Sequence, residues 1–174
     1  MYAFGFRVDR QWIEIYNPGN GTIDLSAYKL GDAEIPGINE GMLQFPSGTL
    51  ISPGQVLIVA LKAAFFYDEY NFYPDFELTD TNLSVPDMLD YPAWADGTVL
   101  LNNMGDEVLL LDGEDRLVDV LAYGDSLFPD FQPPVIGVAE GYSLERFPAD
   151  QDTNSKWDWI QQPHPNPGLV NLGN

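Results

Sequence analysis

Asp150, Asp152, Asn154 and Asp158 place oxygen-bearing side chains at nearly alternate positions along one short stretch. A hard cation such as calcium takes six to eight oxygens, and alternation around a turn points such side chains inward. The fit to a helix-loop-helix calcium loop is incomplete. Ser155 stands where that loop needs glycine, and no Glu closes it. The competing reading is a structural turn in which Asp152 and Asn154 accept from backbone amides. Asp80, Thr81 and Asn82, with Asp87 and Asp90, form a second oxygen-rich stretch with less pattern. Calcium is therefore the one cofactor to test for.

Trp94, Tyr91, Tyr73 and Tyr70 are candidates for ligand binding. Aromatic faces with acidic and amide neighbours suit a sugar, whose apolar face stacks while its hydroxyls find acceptors. The competing reading is a lid that packs its aromatics over an open end of the fold. Trp12, Trp157 and Trp159 fall on predicted strands and are assigned to the core.

Enzymatic chemistry has little to stand on. There is no Cys and one His, which excludes thiol nucleophiles, thiolate metal sites and histidine clusters. His164 sits in the Pro-rich stretch Gln162-Pro163-His164-Pro165 and reads as a loop residue. No nucleophile elbow, phosphate loop or dinucleotide fingerprint is present. Glycoside hydrolysis by two carboxylates is the remaining route, but 27 acids make mere proximity uninformative. No catalytic residue is assigned. Arg146, by contrast, is expected to form an internal ion pair with Glu14 or a nearby acid, orienting a late strand.

These residues need a scaffold. The chain has 174 residues, the size of one domain, and residues 1–174 are expected to form one. With 45% apolar and 13% aromatic residues it can build a core. Seven basic residues against 27 acids leave a charge of −20, which opposes nucleic acid and anionic membrane surfaces. The acid is concentrated: residues 68–130 hold sixteen acids and one base, Arg116. Short apolar runs alternate with turns. Predicted strands are Tyr2–Val8, Trp12–Tyr16, Ile23–Leu30 with a bend near Ser26, Met42–Phe45, Gln55–Ala60, Val99–Leu101, Glu107–Leu111, Leu117–Tyr123, Tyr142–Phe147 and Trp157–Ile160. Asp112-Gly113-Glu114-Asp115 predicts a hairpin turn. Leu61–Tyr70 has helical spacing. Many short strands with regular turns mean a sandwich or barrel.

Several stretches also resemble one family in order. Trp12–Asn17 with Ile23–Leu30, Phe45–Thr49 with Ser52-Pro53-Gly54 and Val56–Ala60, and Gly105–Val108 through Asp112 and Val118-Asp119 are similar to segments of the lamin tail domain. Tyr123-Gly124, Ser143–Arg146, Asp152–Asn154 and Pro165–Asn171 resemble its closing segments. The resemblance implies an all-β, immunoglobulin-like sandwich of the bacterial branch and favours a structural turn at Asp152–Asn154. It also implies a non-catalytic accessory module in an exported multidomain protein; the expected partner is a protein or, on the aromatic candidates, a glycan. The expected location is therefore extracellular or the cell envelope, with the chain a domain of a longer protein; the cytoplasm is the alternative. The stretch 61–98 is longer than the family pattern and reads as an insertion carrying the helix.

Overall fold

The run Val56–Ala60 is apolar at every position, where a half-buried strand would alternate. The computed structural model, which describes residues 2–3, 8–137 and 139–173, shows why. Leu57 and Val59 point into the main core, while Ile58 and Ala60 point the other way and are buried with Trp12 and Phe66. Strand β7 (Val56–Ala60) is thus covered on both faces, by the second sheet and by helix α1 (Ala63–Tyr70).

Two sheets form the sandwich. The six-stranded sheet has the order β13 (Trp159–Gln162), β12 (Ser143–Arg146), β1 (Tyr2–Ala3), β2 (Trp12–Tyr16), β7 and β8 (Phe76–Glu77). The five-stranded sheet has the order β11 (Leu117–Gly124), β10 (Gly105–Leu111), β4 (Lys29–Gly31), β5 (Met42–Gln44) and β9 (Leu89–Asp90). A two-stranded ribbon of β3 (Ile23–Asp24) and β6 (Leu50–Ile51) completes it. Among these strands all pairings are antiparallel except β7 with β8. The core between the sheets includes Ile13, Leu30, Phe45, Val59, Leu109, Leu121, Tyr123 and Leu144. Among the described residues the molecule is therefore an immunoglobulin-like β-sandwich with one short α-helix.

The stretch 61–98 contributes to both sheets. Its β8 adds to the edge of one and its β9 to the edge of the other, so it ties the two together at one side. Helix α1 starts without a cap from its own Lys62. The carboxylate of Glu77, fully buried, substitutes from β8: Oε2 accepts from the Ala63 amide at 2.8 Å and from the Thr81 hydroxyl. Its Oε1 accepts from the Thr81 and Asn82 amides at 3.1 and 2.8 Å. An anion at a helix N-terminus satisfies amides that have no partner within the helix. The helix ends at Asn71, which takes the left-handed conformation with φ 61°.

Some expected elements differ. Val99–Leu101 is not a strand. Val99 and Leu101 are buried as alternation implied, but side chains take their backbone groups. Asp32 Oδ2 accepts from the Leu100 amide at 2.7 Å, and Gln11 pairs with both the amide and the carbonyl of Leu101. Residues 23–30 form two strands in different sheets, split by a turn after Leu25. Lys156–Asp158 is a 3-10 turn, and the last strand begins at Trp159. The expected strand Tyr2–Val8 is paired at Tyr2 and Ala3, Val8 opens a 3-10 turn, and residues 4–7 lie outside the described residues. Among the described residues no helix is long and apolar enough to cross a membrane.

Candidate functional site

The oxygens of the Asp150–Asp158 stretch are committed to holding their own turn. Asp158 is buried and accepts from the Thr153 amide at 2.8 Å, the Thr153 hydroxyl at 2.7 Å and the Ser155 amide at 3.2 Å. Burial alone raises its pKa, but the Thr153 and Ser155 hydrogen bonds and nearby Arg146 outweigh it and hold the carboxyl below its ordinary range. Ser155 and Asp158 form a reciprocal capping box over the 3-10 turn. Asp152 accepts from the Asn154 amide at 2.9 Å and lies 2.5 Å from Arg146. Asn154 takes φ 51°, and both it and Asp150 face solvent.

Arg146 has other partners than Glu14. Its Nη2 reaches both oxygens of Asp119 at 2.7 and 2.8 Å, its Nη1 reaches Asp152, and its guanidinium lies 4.8 Å from the Trp159 ring centroid. Asp119 is on β11 of the opposite sheet, so the pair closes the gap between sheets. Glu14 instead accepts from the Gly168 amide, tying β2 to the C-terminal stretch. A cavity of about 340 Å³, mainly apolar, lies between the sheets beside this pair.

The four aromatic candidates do not meet in one place. Trp94 donates its indole N–H to the Ala33 carbonyl at 2.9 Å and packs against the core. Tyr91 donates to Asp115 at 3.1 Å, and the buried Lys29 ammonium sits 4.7 Å from its ring centroid. Tyr70 accepts from the Trp12 indole at 3.2 Å and packs beside Phe66. Tyr73 alone of the four is exposed, at 47%, and it stacks on Tyr67, 38% exposed, with centroids 4.5 Å apart. Phe72, next in sequence to Tyr73, is 40% exposed and sets its ring edge-on to Phe66, 5.3 Å between centroids.

Within the second oxygen-rich stretch, carboxylate oxygens of Glu77, Asp80 and Asp87 come within 4.8 Å of one another. Asp90 lies on β9, away in the five-stranded sheet. Glu77 already accepts four hydrogen bonds, so its lone pairs are occupied.

Sequence reasoning missed the densest group of acids. A cleft of about 690 Å³ is lined by Asp32, Glu40, Asp96, Asp106, Glu107 and Asp125. Asp32 and Asp106 are buried and receive backbone amides: Gly41 and Leu100 donate to Asp32, Asn102 and Glu107 to Asp106. Burial nevertheless raises Asp32, and raises Asp106 to about 7. Glu107, raised by burial, accepts from the Ser126 hydroxyl. Glu40 is raised to about 8 by burial and by facing Glu34, and the Oε2 atoms of Glu34 and Glu40 are both buried without a donor. The residues come from separate stretches of the chain, at 32–40, 96, 106–107 and 125, and no local spacing relates them.

A comparison with curated proteins gives no match. The family model for the Lamin Tail Domain matches residues 3–125, ending before β12 and β13, which pair with the matched part of the six-stranded sheet through β1. Lamin tail domains form a non-catalytic, immunoglobulin-like fold family, and this chain belongs to it.

Proposed function

We propose that the chain is a non-catalytic binding module of an exported bacterial multidomain protein, and that it meets its ligand with Tyr67, Phe72 and Tyr73. One observation carries the reading. The aromatic candidates Trp94, Tyr91 and Tyr70 are bound internally and Trp157, exposed at 81% although expected in the core, stands as a single ring under Lys156, whereas Tyr67 and Tyr73 stack in solvent beside exposed Asp68 and Glu69. A stacked tyrosine pair offers a flat apolar face, and a neighbouring carboxylate accepts from hydroxyls, which suits a glycan. The rest of the 61–98 stretch supports a structural role, because β8 and β9 extend both sheets. The test is a glycan array probed with the wild-type chain and with Tyr67→Ser/Tyr73→Ser; wild-type binding that the double variant loses supports the reading, and silence across the array counts against it.

The acidic cleft does not favour glycoside hydrolysis. Such enzymes hold two carboxyl groups at least ~5 Å apart, with the sugar between them. Here Asp32 and Asp106 are filled by backbone amides, and Glu34 and Glu40 face each other within hydrogen-bonding reach.

A further inference from the structure

The acidic cleft sits where two backbone segments touch. A Cβ on Gly41 would stand 2.2 Å from the Val99 amide nitrogen, and one on Gly97 would stand 2.5 Å from the Glu40 carbonyl oxygen. These contacts fix the 31–41 segment against 97–99, so the carboxylates cannot relieve crowding by a small shift. Asp32 extends the same clasp: its two oxygens hold the Gly41 and Leu100 amides. The 31–41 segment is also clasped to Trp94, through the Trp94 indole to Ala33 and the Gly37 amide to the Trp94 carbonyl.

No cation balances this group among the described residues. The segment between β4 and β5 contributes Asp32, Glu34 and Glu40; the stretch before β10 contributes Asp96, with Asn102; β10 contributes Asp106 and Glu107; the chain after β11 contributes Asp125 and Ser126. Lys29, Lys62, Arg10, Arg116 and Arg146 are each paired elsewhere, with Asp115, Asp9, Glu69, Asp112 and Asp119. Lys156 lies over Trp157. Two buried carboxylate oxygens that face each other without a donor are costly unless one carries a proton.

We propose that this cleft is a proton-held latch: a proton shared by Glu34 and Glu40 within the 31–41 segment, with a second on Asp106 of β10, relieves the repulsion of these carboxylates for one another and for Asp32, so that Asp32 keeps its grip on the Gly41 and Leu100 amides; loss of the protons loosens that grip of 31–41 on 97–102. A carboxyl that binds its proton more tightly in the folded chain stabilises the fold fully at low pH and gives that stability up as pH rises through its folded value. For Asp106 and Glu40 the loss falls across about 7 to about 8. Asp158, held low, loses its contribution on the acid side of the ordinary carboxylate range. Stability is therefore greatest in mildly acidic solution.

The experiment is a series of thermal melts from pH 5.5 to 9 on the wild type, Glu40→Gln, Glu34→Gln and, as a charge control, Asp68→Asn on the exposed face of α1. A Gln amide donates to its carboxylate partner at any pH. The expected result is a wild-type Tm that falls by about 5 °C between pH 5.5 and 9, a fall that Glu40→Gln or Glu34→Gln at least halves and Asp68→Asn leaves in place. Equal flattening by Asp68→Asn would mean general charge repulsion and overturn the latch, as would an unchanged slope in both Gln variants. If neither Gln variant folds, hydrogen exchange on the wild type decides. After correction for intrinsic rates, the Gly41 and Leu100 amides should lose protection selectively between pH 6 and 8.5. No change, or a change uniform along the chain, overturns the proposal.

Discussion

Arg146 of β12 grips Asp119 of β11 with both carboxylate oxygens within 2.8 Å, joining the two sheets of the sandwich by one side chain. The arginine side chain is 12% exposed and the aspartate 42%. Arg146→Met removes this fork, the contact with Asp152 and the cation over Trp159. Breaking a fully buried pair from one side costs ~3–5 kcal/mol, and the exposure of Asp119 reduces that to about 2 kcal/mol here. The expected outcome in chemical denaturation is that loss of stability, with Glu14→Gln not reproducing it through Arg146. An unchanged midpoint for Arg146→Met would show that the inter-sheet pair does not hold the fold.

The expectation that Arg146 pairs internally came from charge scarcity, and the sequence could carry it no further. Which acid stands opposite depends on how two sheets face each other across the core, and no local spacing encodes that. Other parts were legible for a physical reason. Val56–Ala60 is apolar throughout because both faces are covered, and the Asp112–Asp115 turn announced the β10–β11 hairpin, with Asp115 left-handed at φ 61°. Strands β8 and β9 are two residues each, too short to show a period, and exist through pairing with β7 and β5. Val99–Leu101 misled because its inward alternation is real while its hydrogen bonds go to Asp32 and Gln11.

Glu77 caps α1 from outside the helix. Glu77→Ala leaves the buried Ala63 amide and the part-buried Thr81 and Asn82 amides without their acceptor. A lost cap costs ~1 kcal/mol and the buried Ala63 amide left unpaired adds ~1 kcal/mol, while the Thr81 and Asn82 amides can turn to water, so a loss of about 2 kcal/mol is expected. Hydrogen exchange should show residues 63–70 losing protection first, while β10 and β11 stay protected. Uniform loss along the chain would contradict the capping role.

The Asp152–Asp158 turn is held by its own hydrogen bonds. Asp158→Asn weakens the acceptor for Thr153 and Ser155, and a lost charged acceptor of this kind costs about 1.5–3 kcal/mol. The loss should be the same in chelator and in millimolar calcium, read by thermal melting. A wild-type Tm that rises with calcium, and a rise abolished by Asp158→Asn, would instead make the turn a cation site.

Trp94 and Tyr73 make opposite use of an aromatic ring. Trp94 spends its polar edge on Ala33 and its ring on the core, so Trp94→Phe should cost about 1 kcal/mol through the lost hydrogen bond and leave ligand binding intact. Tyr73 and Tyr67 stack in solvent, so Tyr67→Ser/Tyr73→Ser should keep the fold. Surface substitutions of this kind change stability by ~0.5 kcal/mol or less.

The direct measurement is a glycan array read with three folded proteins: wild type, Tyr67→Ser/Tyr73→Ser and Trp94→Phe. The expected result is a wild-type binding profile that Trp94→Phe keeps and the double tyrosine variant loses at least tenfold. A profile that survives loss of both tyrosines and vanishes with Trp94→Phe would contradict a recognition surface at the Tyr67–Tyr73 stack.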